Sequence, residues 1–168
     1  MNIKEKLLEG NKLFVEKEKD NPKLKELVER QNPFAIIVCC SDSRVIPENI
    51  FSCSFGDLFV IRTAGNTIGE DEIASIEYGI EHLHINYVLV LGHSHCGAIH
   101  AAINDEHGRY VDNVLAKIKE AIHDEKDELE ASKLNAIKQA NFLKESFKNF
   151  GGIIESAIYD LETNKVIF

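Results

Sequence analysis

Short unbroken apolar runs alternate along this chain with segments whose apolar residues recur every three or four positions. The runs are Phe34-Ala35-Ile36-Ile37-Val38-Cys39, Leu58-Phe59-Val60-Ile61, Tyr87-Val88-Leu89-Val90-Leu91, and Ile153-Ile154 continuing through Ser156-Ala157-Ile158-Tyr159. Apolar runs of this length, without polar alternation, predict strands buried on both faces. Between the second and third runs, Ile73, Ile76, Ile80 and Leu83 keep helical spacing. After the third, two further helical patterns carry Val111, Val114, Leu115, Ile118 and Ile122, then Leu134, Ile137, Ala140, Leu143 and Phe147. Ahead of the first strand, residues 2–18 place Ile3, Leu7, Leu8, Phe14 and Val15 at roughly helical intervals. Asn21-Pro22 reads as a cap and first residue opening a helix with Leu24, Leu27 and Val28 inward.

Buried strands alternating with amphipathic helices predict an α/β fold. It has a mostly parallel sheet of about four core strands plus a C-terminal edge strand, flanked by helices. The 168 residues suit a single domain over 1–168, with an N-terminal helical arm over about 1–30. The excess of 28 acids over 19 bases, a net charge of −9, argues against nucleic acid and against anionic membrane surfaces as partners. No apolar run is long enough to span a bilayer, and residues 1–12 lack the apolar core of a signal peptide. A cytoplasmic location is therefore expected. There the cysteines Cys39, Cys40, Cys53 and Cys96 read as thiols or metal ligands rather than a disulfide framework.

The candidate chemistry sits at two strand ends. Cys40 opens Cys40-Ser41-Asp42-Ser43-Arg44 just beyond the first strand. His93 and Cys96 fall just beyond the third, in Gly92-His93-Ser94-His95-Cys96-Gly97. In open parallel sheets, ligands bind outside the carboxyl ends of strands, so the two motifs are expected to meet there. Two thiolates and one imidazole form a three-ligand zinc set, which leaves a coordination position for water or substrate. Thiolates donate strongly and leave a bound water less acidic, so a nearby hydrogen-bonding carboxylate is an advantage. Asp42 is placed to serve as that carboxylate, or to swing in as a fourth ligand and close the site. Arg44 is its natural bidentate counter-ion, holding it off the metal and ionised.

These motifs resemble those of the β-class carbonic anhydrases. The resemblance continues through Gly56-Asp57-Leu58-Phe59-Val60-Ile61-Arg62-Thr63-Ala64-Gly65-Asn66, Ser75-Ile76-Glu77-Tyr78-Gly79 and Ala157-Ile158-Tyr159-Asp160-Leu161, covering the chain from about Asn11 onward. It implies reversible hydration of CO2 to bicarbonate and a proton by zinc-bound hydroxide. Cys40, His93 and Cys96 would hold one Zn2+ per chain, and Asp42 and Arg44 would orient the hydroxide. Gly97 matches a backbone N–H that places substrate. Gln31, nine residues before Cys40, matches a glutamine that hydrogen-bonds substrate. Phe59 and Tyr78 match pocket residues. The family usually forms homodimers, often paired into tetramers, with an N-terminal helix on the partner subunit. Residues 2–18 fit that role, and equally fit packing on their own domain. An allosteric branch of the family carries a tryptophan where this chain has Ile37, so the resemblance is to the open branch, with a switch through Asp42 still available.

Departures are the short chain, Thr63 where asparagine is frequent, and the extra polar neighbours Cys39 and His95. His95 is a candidate proton shuttle, or simply a solvent-facing residue at a helix start. Two competing readings are a carbonyl sulfide or carbon disulfide hydrolase with the same zinc set, and a sensor using Cys39 and Cys40 as an oxidisable pair. Adjacent cysteines rarely form an unstrained disulfide, which counts against the sensor.

Overall fold

Each of the four apolar runs forms a strand of one sheet in the computed structural model, which describes residues 2–168. The strands are β1 (Ala35–Cys40), β2 (Leu58–Thr63), β3 (Tyr87–His93) and β4 (Ile153–Asp160), with β5 (Lys165–Ile167) at the C-terminal edge. Their spatial order is β2-β1-β3-β4-β5. The first four pair in parallel and β5 runs antiparallel to β4. All six residues of β1 are buried, whereas β2, on the outer edge, is only half-buried. The apolar run of β2 looked like that of β1, but an edge strand has one neighbour and open surface on its other side.

The chain separates into two units, Met1–Asn32 and Pro33–Phe168. The expected arm over about 1–30 corresponds to the first, with Met1 outside the described residues. In it, α1 (Ile3–Glu18) begins with a reciprocal cap, Asn2 accepting from the Glu5 N–H and Glu5 accepting from the Asn2 N–H. The apolar positions of α1 bury nothing: Ile3 is 81% exposed and Leu7 69%. Asn21 caps the short α2 (Pro22–Glu26), as its sequence predicts, but Val28, expected inward, is exposed.

In the second unit, helices α3 (Pro47–Ile50), α4 (Glu70–Glu81), α5 (Gly97–Ile103), α6 (Asp112–Ile122) and α7 (Glu128–Ser146) surround the sheet strands in sequence. Period-two alternation sends Ile36, Val38, Val88, Val90, Ile154 and Ile158 to one face, against Ile76 of α4 and Ala136, Ala140 and Leu143 of α7. Ala35, Ile37, Cys39, Leu89, Leu91 and Ala157 take the other face, with Val45 and the half-buried Phe51. A third cluster joins Cys40 and Cys96 to Ile99, Leu115 and Ile118 of α5 and α6.

The expected inward face of α7 needs correction. Ala140 and Leu143 are buried, but Leu134 and Ile137 are exposed, and Asn135 and Gln139 take their place in the interior. The reason lies in what those two amides bind, described below.

Candidate metal centre

β1 and β3 are neighbours, and the chain crosses from one side of β1 to the other between β2 and β3. That reversal is where open α/β sheets leave a crevice at their carboxyl ends. Cys40 is the last residue of β1 and His93 the last of β3. The sequence had placed both just beyond the strands; they are instead the terminal strand residues, because the ladder persists through Cys40 and His93. After His93 the chain turns through His95 (φ 55°) and places Cys96 as the N-cap residue of α5. Ser94 ties this turn to the end of β4: its N–H donates to the Tyr159 carbonyl (3.1 Å) and its hydroxyl donates to Asp160 (3.1 Å).

Cys40, His93 and Cys96 are all buried, and one donor atom from each lies within 4.8 Å of the others. The two sulfurs are 4.0 Å apart. His93 Nδ1 lies 2.8 Å from the Ser94 carbonyl oxygen. A carbonyl only accepts, so Nδ1 carries the proton and Nε2 presents a lone pair. Among the described residues, that buried Nε2 has no hydrogen-bond partner. Such an orphan costs free energy unless something absent from the polypeptide satisfies it. The thiol pair is polarised as well. The hydrogen bond from Cys96 pulls the Cys40 thiol well below its usual range against the effect of burial, with smaller help from the Asp42 and Gly65 N–H groups. The same contact, with burial, pushes Cys96 up. The group can hold a metal ion.

Asp42 is outside this donor cluster. Its Oδ1 accepts from the Arg44 backbone N–H and Nε, both at 2.9 Å, and its Oδ2 accepts from Arg44 Nη2 at 2.8 Å. The Arg44 guanidinium therefore holds the Asp42 carboxyl far below the usual carboxylate range. Arg44 Nη2 also donates to the His95 carbonyl (3.0 Å), tying the dyad to the loop between His93 and Cys96.

Three contributors were not singled out from the sequence. Arg62 of β2 donates to the carbonyls of Cys40 (3.1 Å) and Asp42 (2.6 Å), fixing both ends of the Cys40–Asp42 segment. Gly65, in the 3-10 turn Ala64–Asn66, donates its N–H to Cys40 Sγ at 3.3 Å. Asn135 of α7 donates to the Gly65 carbonyl at 2.8 Å. Arg62 and Gly65 lie in a stretch whose resemblance was noted, and the Gly-Asn pair is a turn signal. Nothing in one sequence marks Asn135.

The other expected site residues are placed as follows. Gly97 is the first residue of α5, directly after Cys96, and the space where a side chain would begin is open. Gln31 lies in the first unit, exposed, after α2. Phe59 and Tyr78 pack on each other, ring centroids 6.3 Å apart. Within one chain they do not join the cluster: Phe59 pairs with Ile36 while Thr63 pairs with Cys40, roughly 13 Å along the sheet at about 3.3 Å per residue. His95 is exposed and pairs with Glu162 at 2.8 Å. Cys39 points to the opposite sheet face from Cys40, and burial pushes its thiol up to about 12. Adjacent in sequence, the two cysteines are separated by strand alternation, which removes the basis of an oxidisable pair.

The carbonic anhydrase family profile matches residues 35–149. Carbonic anhydrase 2 of Mycobacterium tuberculosis is 40% identical over 126 residues, covering 69% of this chain and 61% of that protein. A carbonic anhydrase of Synechocystis is 48% identical over 80 residues, covering 44% of this chain and 29% of that protein. The chain thus spans less than two thirds of the length of these curated relatives. Among solved structures, the β-carbonic anhydrase CcaA superposes with a TM-score of 0.85 at 30% identity, over 98% of this chain and 94% of that one. The Coccomyxa β-carbonic anhydrase, solved with acetazolamide, shares the fold at a TM-score of 0.81 and 24% identity, over 95% of this chain and 83% of that one. With the sheet order, the paired strand ends and the Cys-His-Cys cluster, these matches establish that the chain belongs to the β-carbonic anhydrase family.

Proposed function

We propose that this protein is a zinc enzyme that reversibly hydrates CO2 to bicarbonate and a proton. The observation that carries the reading is the convergence of Cys40, His93 and Cys96, with the buried His93 Nε2 left without a partner among the described residues. The donor set suits zinc: tetrahedral Zn–S bonds of about 2.3 Å separate two sulfurs by about 3.8 Å, close to the 4.0 Å found here. Sulfur and imidazole ligands together favour zinc over the hard cations. Zinc held by Cys40, His93 and Cys96 would supply Lewis-acid activation of a water near neutral pH.

The chain's own residues do the rest. Asp42, kept ionised by Arg44, accepts a hydrogen bond from the attacking O–H and aims its lone pair at the carbon of CO2. Arg44 keeps both Asp42 oxygens engaged, which favours a site open to substrate over closure by Asp42. The Gly97 N–H serves as a donor to substrate oxygen. Phe59 and Tyr78, distant from the cluster of their own chain, serve as apolar wall for a neighbouring copy in a homodimer or tetramer. The solved Sordaria macrospora relatives are tetrameric, and the exposed apolar positions of α1 are consistent with an assembly.

Stopped-flow CO2 hydration on zinc-quantified protein, from about pH 7 to 9, tests the reading. Activity that rises with pH and disappears on zinc removal is the expected result. Absence of hydration from zinc-replete protein across that range refutes it.

A further inference from the structure

α7 buries two carboxamides where its pattern offers leucine and isoleucine. Asn135 is 0% exposed and Gln139 5%, while Leu134 and Ile137 are 38% and 48% exposed on the same helix. Turning amides inward and aliphatic side chains outward is costly unless each amide is fully bonded. They are bonded in one continuous chain. The Ile68 N–H donates to Gln139 Oε1 (3.1 Å) and Gln139 Nε2 donates to Asn135 Oδ1 (3.2 Å). Asn135 Nδ2 donates to the Gly65 carbonyl (2.8 Å), and the Gly65 N–H donates to Cys40 Sγ (3.3 Å).

The chain of bonds therefore starts on a distant helix and ends on the sulfur of a proposed metal ligand. Its middle link is the short Ala64–Asn66 turn, which carries a residue in the left-handed region. Gly65 sits at φ 63°, and the turn is further held by local bonds between Thr63, Ala64 and Thr67 and by Lys117 Nζ, which donates to the Ile68 carbonyl (2.8 Å). Asn135 grips the carbonyl of the very peptide unit flanking that glycine. Gln139 grips the N–H of Ile68 on the far side of the turn. Together they fix the orientation of the Gly65 N–H.

We infer that Asn135 and Gln139 are positioning residues, which hold the Ala64–Asn66 turn so that the Gly65 N–H stays bonded to the Cys40 thiolate when metal is bound. The inference rests on the metal-ligand role of Cys40 given above. An N–H donated to a ligating thiolate withdraws charge from it and orients it. Loss of such outer partners costs about 10- to 100-fold in metal affinity or activity.

The test uses zinc-loaded protein and its cobalt(II)-substituted form. Zinc release to excess chromophoric chelator gives a rate, and the thiolate-to-cobalt charge-transfer band reports the sulfur directly. Asn135→Ala is expected to speed zinc release about 10-fold or more and to shift the band. Gln139→Met, which nearly keeps the volume and leaves Asn135 in place, is expected to do both to a smaller extent and guards against an Asn135 variant that does not fold. Leu143→Ala, a buried α7 position with no polar link to the turn, destabilises the same helix and is expected to leave the band in place. Wild-type release and an unmoved band in the folded carboxamide variants overturn the inference while leaving the zinc reading standing. An equal shift in Leu143→Ala also overturns it, since general loosening of α7 then suffices. Wild-type protein that binds no zinc overturns both.

Discussion

Gly65→Ala places one methyl group where the fold leaves little room for it. The added Cβ lies 2.8 Å from Ile118 Cδ1 and 3.1 Å from Ala98 Cβ, against an ordinary carbon contact of about 3.5–4.0 Å. Ile118 is fully buried, so its terminal methyl has no open solvent to move into. Overpacking of this kind costs about 1–3 kcal/mol. The backbone adds a second cost: φ is 63°, and a left-handed conformation costs an L-residue about 1–2 kcal/mol. The sum is about 2–5 kcal/mol, a large share of the roughly 5–15 kcal/mol that holds a typical domain folded. For a chain of this size it corresponds to a fall in Tm of about 4–20 °C. Urea unfolding at fixed protein concentration reads it directly as a shift of midpoint at constant slope. Gly97→Ala is the control, because a Cβ there meets nothing within 4 Å. It is expected to be neutral or slightly stabilising, as alanine at a helix start replaces a flexible residue. A loss below about 0.5 kcal/mol for Gly65→Ala, or an equal loss for Gly97→Ala, refutes the argument from local geometry.

Other perturbations address the site itself. Asp42→Ala is expected to keep its zinc by elemental analysis and lose about 10- to 100-fold in kcat/KM for CO2 hydration; full activity would remove the dyad from the mechanism. Cys96→Ser is expected to lower bound zinc well below one per chain, and unchanged stoichiometry would break the ligand assignment. Zinc at 1,000 times its Kd should add about 4 kcal/mol of stability. Chelation should therefore lower Tm by about 8–16 °C; an unmoved Tm would show that no metal is bound to the native state. The Glu128 carboxylate raises the His100 pKa above its usual value. The stabilisation from this pair is thus complete below about pH 6.5 and lost as pH rises through the folded pKa. His100 followed by NMR should titrate above 6.5, and Glu128→Gln should bring it back; an unchanged titration in that variant would dissociate the two groups.

The residues of the candidate metal site were legible because thiolates and imidazole carry their chemistry with them. Cys40, His93 and Cys96 needed only the expectation that strand ends converge. The four parallel strands were legible for a related reason, since strands buried on both faces admit almost no polar side chains. The sequence alone thus determined the fold class, the three residues of the candidate metal site and the pairing of Asp42 with Arg44, a contact between near neighbours. Only the tertiary structure decided that β1 and β3 lie side by side, which puts Cys40 against His93. It also sent Cys39 to the other sheet face and left Phe59 and Tyr78 far from their own cluster. The buried face of α7 was the clearest failure of pattern. Helical periodicity chooses the face with more apolar side chains. Asn135 and Gln139 lie inside because their partners are the backbone of a turn 70 residues away in the case of Asn135 and Gly65, and a hydrogen bond made across that separation leaves no trace in local hydrophobicity.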